Sequence, residues 1–178
     1  MAAMNRQYYL RLREVYRPAS IKVIFILESP PCSGKYFYDP NGKTGEPLFS
    51  AMMKLLNAKP HTKAEGLKLF QEAGYILVDA TYRPVNHLIK SQKKEIILDD
   101  YRPLVDDLCD LTTLNNPKII LATANIFHLL EKKLLDDKFD VINNGEVIKY
   151  PGRWQKEFKE KVAFLISSNC AETDFPVE

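Results

Sequence analysis

From Val23 through Ile24, Phe25 and Ile26 to Leu27 the chain is apolar without a break, and polar residues resume at Glu28. A strand with one wet face alternates apolar and polar positions. An unbroken run of β-branched and aromatic residues instead predicts a strand buried on both faces, as at the centre of a parallel sheet. Pro30 and Pro31 follow closely. Prolines cannot donate to a ladder and hold the residues before them extended, so the strand ends at Leu27. Glu28 and Ser29 are then presented at its carboxyl end, the place where open α/β sheets bind ligands.

The same switch from apolar run to polar loop recurs further along. Tyr75 to Thr81 reads as a second strand, broken by the loop Tyr82-Arg83-Pro84-Val85-Asn86-His87, and Lys118 to Thr123 reads as a third. Elsewhere the apolar positions fall at helical spacing. Tyr8, Tyr9, Leu12, Val15 and Tyr16 predict a helix over 5–16, ended by Pro18, with its arginines turned to water. A glycine- and proline-rich loop over 39–47 leads to a helix over 48–56 whose methionines and leucines are core positions. Thr62 and Glu65 form a capping box for a helix over 62–73, closed by Gly74. A mixed charged stretch over 92–100 precedes a helix over 101–111 with Pro103 in its first turn. The helix predicted over 124–135 holds His128 as a partly buried structural histidine. Asn143-Asn144-Gly145 predicts the turn of a short strand or hairpin over 139–148. The loop Tyr150-Pro151-Gly152-Arg153-Trp154-Gln155-Lys156 opens a last helix over 155–168 that buries Phe158, Val162, Leu165 and Ile166, and the tail from Asn169 is polar. Strands alternating with helices predict an α/β fold of three layers, α/β/α, around a short, mostly parallel central sheet.

Composition changes this picture mainly by exclusion. At 178 residues the chain is the size of one domain with a sizeable core. With 46% hydrophobic and 27% charged residues it is neither disordered nor collagen-like. A net charge of +2 means that nucleic-acid binding has to come from a local basic patch. No apolar run approaches the ~20 residues of a membrane span. The N-terminus interleaves Arg6, Arg11 and Arg13 with Tyr and Leu, unlike a signal peptide, so the expected compartment is the cytoplasm. Cys32, Cys109 and Cys170 are odd in number and widely spaced, which argues against a disulfide framework, a zinc site or an iron–sulfur site. The pairs Asp99-Asp100 and Asp106-Asp107 read as helix-start and solvated-face charges rather than metal ligands.

The three polar loops resemble, in order and content, those of the uracil-DNA glycosylase superfamily. That superfamily carries a first motif after its first strand, in forms such as G-Q-D-P-Y and G-E-A-P-G, where this chain has Leu27-Glu28-Ser29-Pro30-Pro31. The stretch from Asp79 to His87 is similar to the second motif of the iron–sulfur branch at Arg83, Pro84 and Asn86. The third motif, H-P-S before the last helix, corresponds to Tyr150-Pro151-Gly152. Departures accompany the likeness. Ser29 stands where the most active members have a water-activating Asp or Asn, and Tyr150 replaces the histidine that stabilises the departing base. Asp79 falls where an asparagine reads uracil. Tyr82 replaces a cluster cysteine, so the resemblance implies neither cluster nor other cofactor.

What the resemblance implies is a uracil-DNA glycosylase-like fold and a monofunctional hydrolase, without metal or redox cofactor, that cuts the N-glycosidic bond of a flipped, deaminated base. Its partner is DNA, single strands included, and it works as a monomer with no membrane. Such chemistry needs a stabilised sugar cation and a positioned water. Glu28, with Ser29 beside it, either serves that purpose or caps the loop by accepting backbone N–H bonds. Tyr36, Phe37 and Tyr38 offer faces for stacking a base, or belong to the core. Asp79, taken as ionised, only accepts hydrogen bonds and would favour a base edge with two adjacent donors; it could instead pair with Arg83 or hold water. Arg83, Asn86 and His87, with Arg153, Trp154 and Lys156 beside Tyr150, form either a lip for a nucleic-acid backbone or a solvated cationic rim, to which Lys35 and Lys43 would add. Ser29, Asp79 and Tyr150 also suit a different function, binding a nucleic acid or nucleotide without cutting it, and a hydrolase of free nucleotides is a third.

Overall fold

The predicted run is a strand, β1 (Val23–Leu27), and none of its residues is more than 5% exposed. In the computed structural model, which describes residues 5–169, β1 lies between β2 (Tyr75–Asp79) and β3 (Lys118–Leu121), parallel to both. Burial on both faces is what an all-parallel sheet imposes on its central strand. The register pairs Leu27 with Asp79 and Ile26 with Leu121, so the three carboxyl ends finish together.

Between β1 and β2 run α2 (Pro47–Leu55) and α3 (Lys63–Glu72); between β2 and β3 run α4 (Lys90–Asp99) and α5 (Tyr101–Thr112). The first crossover moves one way along the sheet and the second moves back past β1. Right-handed connections therefore put the two helix pairs on opposite faces, which makes the three layers. α1 (Arg6–Glu14) precedes β1, and α6 (Ala124–Asp136) and α7 (Pro151–Asn169) follow β3. Phe25 packs against Phe70 of α3 with ring centroids 6.1 Å apart, and α7 packs along α2. Gly66 lets α3 approach α2: a Cβ there would lie 2.8 Å from Met53 Sδ and 2.9 Å from Pro60 Cγ.

Local signals fix several helix ends. Thr62 accepts from the Glu65 amide at 3.2 Å, but the Glu65 carboxylate reaches the His61 amide at 2.8 Å, one residue before the cap that a capping box would bond. Gly74 closes α3 at φ +78°. Pro151 sits in the first turn of α7, which starts earlier than its apolar face suggests and carries a non-helical break at Trp154. The charged stretch before α5 is itself a helix, α4.

Five expectations need correction. Arg13 does not face water: it is 2% exposed and grips Asp107 of α5, itself 9% exposed and so not a solvated charge. Arg13 shares a helix stripe with Tyr9 and Tyr16, and a charge on a buried stripe persists when it is paired and hydrogen-bonded. His128 is exposed, off the stripe of α6 that buries Phe127, Leu130 and Leu134. No hairpin forms over 139–148. Asn144 and Gly145 do turn, at φ 51° and 81°, but Asn143 folds inward and both accepts from the Leu121 amide (2.8 Å) and donates to its carbonyl (3.2 Å). That side chain stands in for a strand neighbour on β3, and only an isolated parallel bridge, Ile119 to Val141, accompanies it. The second strand stops at Asp79, not Thr81. Cys170 and the tail beyond Asn169 lie outside the described residues. Among those described, no helix is long and apolar enough to cross a membrane.

Candidate active site

At the carboxyl edge of the sheet the backbone ladder continues past the strands. Ala80 N donates to Leu27 O at 2.8 Å and Thr81 N to Glu28 O at 3.0 Å, which brings the first two loops side by side. Side chains then staple them. Ser29 Oγ accepts from the buried Val85 amide at 3.1 Å and donates to Pro30 O at 3.2 Å. Asn86 Oδ1 accepts from the Cys32 amide at 3.0 Å and from its thiol at 2.6 Å, with His87 Nδ1 3.4 Å from the same sulfur.

Beneath these loops lies a cavity of about 420 Å³, within the range of small-molecule sites. Glu28, Tyr36, Phe37, Phe49, Asp79 and Tyr150 are among its lining residues. One wall is braced by Lys63, wholly buried, whose Nζ donates to Tyr36 O and to Glu46 Oε2, each at 2.7 Å. Glu28 reaches the cavity from the end of β1 and accepts from Lys93 Nζ of α4 at 3.5 Å. Thr123, which caps α6 by accepting from the Ile126 amide, lines it from the third strand.

Asp79 is the electrostatic centre of this region. It is 4% exposed, and its Oδ2 is buried without a hydrogen-bond partner in the protein. Burial pushes its carboxyl up to about 8, against a smaller downward pull from Arg13. At neutral pH the group therefore carries its proton, and the acceptor-only behaviour expected of an ionised carboxylate gives way to one donor and one acceptor. Buried aromatics surround it. Tyr36, whose hydroxyl also lacks a partner, is held well above the ordinary phenol value by burial first and Asp79 second. The Tyr82 hydroxyl accepts from Arg13 Nη1 at 3.2 Å and is also bonded to the Asp79 backbone.

The structure sorts the candidate residues. Glu28, Ser29 and Asp79 meet at the cavity, with Tyr36, Phe37, Asn86 and Tyr150. Tyr38 does not reach it: wholly buried, it accepts at its hydroxyl from the Leu77 amide at 2.7 Å on the open edge of β2. Arg83 turns away toward a second hollow and pairs with Asp100 through Nε (3.0 Å) and Nη2 (2.8 Å), so it does not pair with Asp79. His87, Arg153 and Lys156 are exposed; Trp154, 48% exposed, lies under Lys149 Nζ at 4.0 Å from its ring centroid. Tyr150 is 47% exposed, and burial with Glu46 nearby raises its phenol, which keeps it a neutral hydrogen-bond donor. Glu46, Lys63, Lys93 and Thr123 were not singled out in the sequence. Only Thr123 gave a signal there, a capping residue between a strand and a helix. Among the described residues, no group of three or more His, Cys, Asp or Glu side chains is placed to hold a metal ion.

Comparison of the chain with models of protein families, with curated proteins and with solved structures finds no match.

Proposed function

We propose that the chain is a base-excising hydrolase of the uracil-DNA glycosylase type, acting as a cytoplasmic monomer on deaminated bases in DNA. The observation that carries this reading is Asp79, a buried carboxyl bordering the cavity beside Glu28, whose Oδ2 has no partner in the protein and whose burial favours the protonated form. A neutral carboxyl offers a donor and an acceptor side by side, as an amide does, and so complements the carbonyl and N–H edge of uracil, hypoxanthine or xanthine. Phe37 and Tyr36 supply aromatic surface for the flipped base, and the neutral Tyr150 phenol stands at the mouth.

In the reaction the bond between C1′ and the base nitrogen breaks, its electron pair leaving with the base, and the sugar becomes an oxocarbenium ion. Glu28 stabilises that cation and holds the water that adds to C1′. Asp79 donates to the base oxygen on which negative charge grows, and the proton released by the water neutralises the departing base.

A second reading, binding without cutting, is favoured by Ser29, whose hydroxyl is committed to Val85 and Pro30 and is not free to activate water. Base release from short oligonucleotides carrying uracil, hypoxanthine or xanthine, in single and double strands, separates the two. Release that disappears in Glu28→Gln supports the hydrolase. No release, with salt-sensitive DNA binding retained, supports the binding protein.

A further inference from the structure

Lys93 is the one lysine that touches Glu28 among the described residues. Its Nζ is 3.5 Å from Glu28 Oε2, and both side chains are 23% exposed, shielded yet within reach of solvent. The other lysine paired with a cavity carboxylate, Lys63, is sealed at 0% exposure and bonded twice, so no ligand can reach it. The helix that carries Lys93 departs from helix-building rules. α4 opens with Lys90, Lys93 and Lys94, has no acidic residue in its first turn and has no side-chain cap. Cations are unfavourable in the first turn of a helix, so Lys90 and Lys93 gain nothing from the helix dipole. Lys90 and Lys94 are exposed, while Lys93 turns back to the cavity carboxylate.

We propose that Lys93 is an amine nucleophile toward the aldehyde of an abasic sugar, giving the protein a second activity, strand scission at abasic sites. The proposal rests on the base-excision reading, because excision leaves a sugar whose ring-opened form carries an aldehyde at C1′. Lysine amines condense with such carbonyls. Lys93 passes a proton to Glu28 and its free Nζ adds to C1′; the carbinolamine loses water to give a protonated imine. Glu28, after giving up its proton to the departing water, takes the C2′ proton, and the electron pair of that C–H bond moves toward the iminium nitrogen. The pair returns to form the C2′–C3′ double bond as the C3′–O bond breaks and the phosphate leaves. Water then hydrolyses the imine and restores the amine. No oxidant or reductant is consumed.

The test uses the full chain and a labelled single-stranded oligonucleotide with one preformed abasic site, so that it does not depend on excision. With sodium cyanoborohydride present, a covalent protein–DNA species is expected on a denaturing gel, with the adduct mapped to residue 93 by mass spectrometry. Lys93→Gln and Lys93→Arg should both abolish it while their thermal unfolding stays close to that of the parent. Absence of a trapped species, or a species that persists in Lys93→Gln, overturns the proposal. Base release without trapping defeats the amine role alone, whereas trapping without release of any base leaves it standing and defeats the excision reading.

Discussion

Arg13 and Asp107, 94 positions apart in the chain, meet inside the protein in a two-pronged ion pair, Nη1 to Oδ2 at 2.6 Å and Nη2 to Oδ1 at 2.7 Å. The pair ties α1 to α5. Breaking it from one side strands a buried charge, so Arg13→Met should cost about 3–5 kcal/mol in urea unfolding. Replacing both residues, Arg13→Met with Asp107→Leu, should recover most of that loss. A single variant as stable as the parent would show that water takes over the pairing.

Ser29 serves the backbone in this fold. Ser29→Ala leaves the buried Val85 amide without its acceptor, at a cost of about 1–3 kcal/mol. Hydrogen exchange at Val85 should accelerate in step. If Ser29 instead activates water, turnover falls and stability does not, which comparing both quantities in one variant would reveal.

Gly66 sets two effects against each other. Alanine gains about 1 kcal/mol of helix propensity. Its Cβ, however, would press on Met53 and Pro60 in the interface of α2 and α3, and overpacking costs about 1–3 kcal/mol. The net effect of Gly66→Ala should be destabilising, read as a lowered melting temperature; a raised one would mean that the two helices part freely.

Asp79 makes stability fall with pH. Its carboxyl is raised from 3.8 to about 8 in the folded protein, so between those values the folded state holds a proton that the unfolded chain has lost. Its stabilising contribution is therefore complete below about pH 4, declines as pH rises, and is gone above about 8. Asp79→Asn has nothing to titrate and should remove that slope, leaving the variant more stable than the parent at high pH. Parallel stability curves for the two proteins from acid to alkaline pH would contradict this.

Signals that act over a few residues were legible in the sequence, and pairings over distance were not. The β1 run, the proline stop after Ser29 and the Thr62 cap are each decided by local backbone chemistry, and each appears in the structure. The convergence of Glu28 and Asp79 could be anticipated because loops after parallel strands gather at one sheet edge. Arg13 looked like a solvated charge because its partner sits on another helix, and periodicity carries no record of partners. Asn143 looked like part of a hairpin turn because its bond to Leu121 depends on where β3 lies. The protonation of Asp79 has the same origin: a carboxyl at a strand end reads as ionised until its burial is known. Tyr38 belonged to an aromatic run that suited stacking, and only the open edge of β2 decided that its hydroxyl would serve Leu77.

The most direct test of the central claim is the rate of base release as a function of pH, measured for the parent and Asp79→Asn on single-stranded oligonucleotides carrying uracil or hypoxanthine. The account expects the parent to release base near neutrality and to lose most of its rate as pH passes about 8, when Asp79 ceases to donate, while Asp79→Asn keeps its rate across that point. Release that is absent at every pH, or two profiles that coincide, would contradict it.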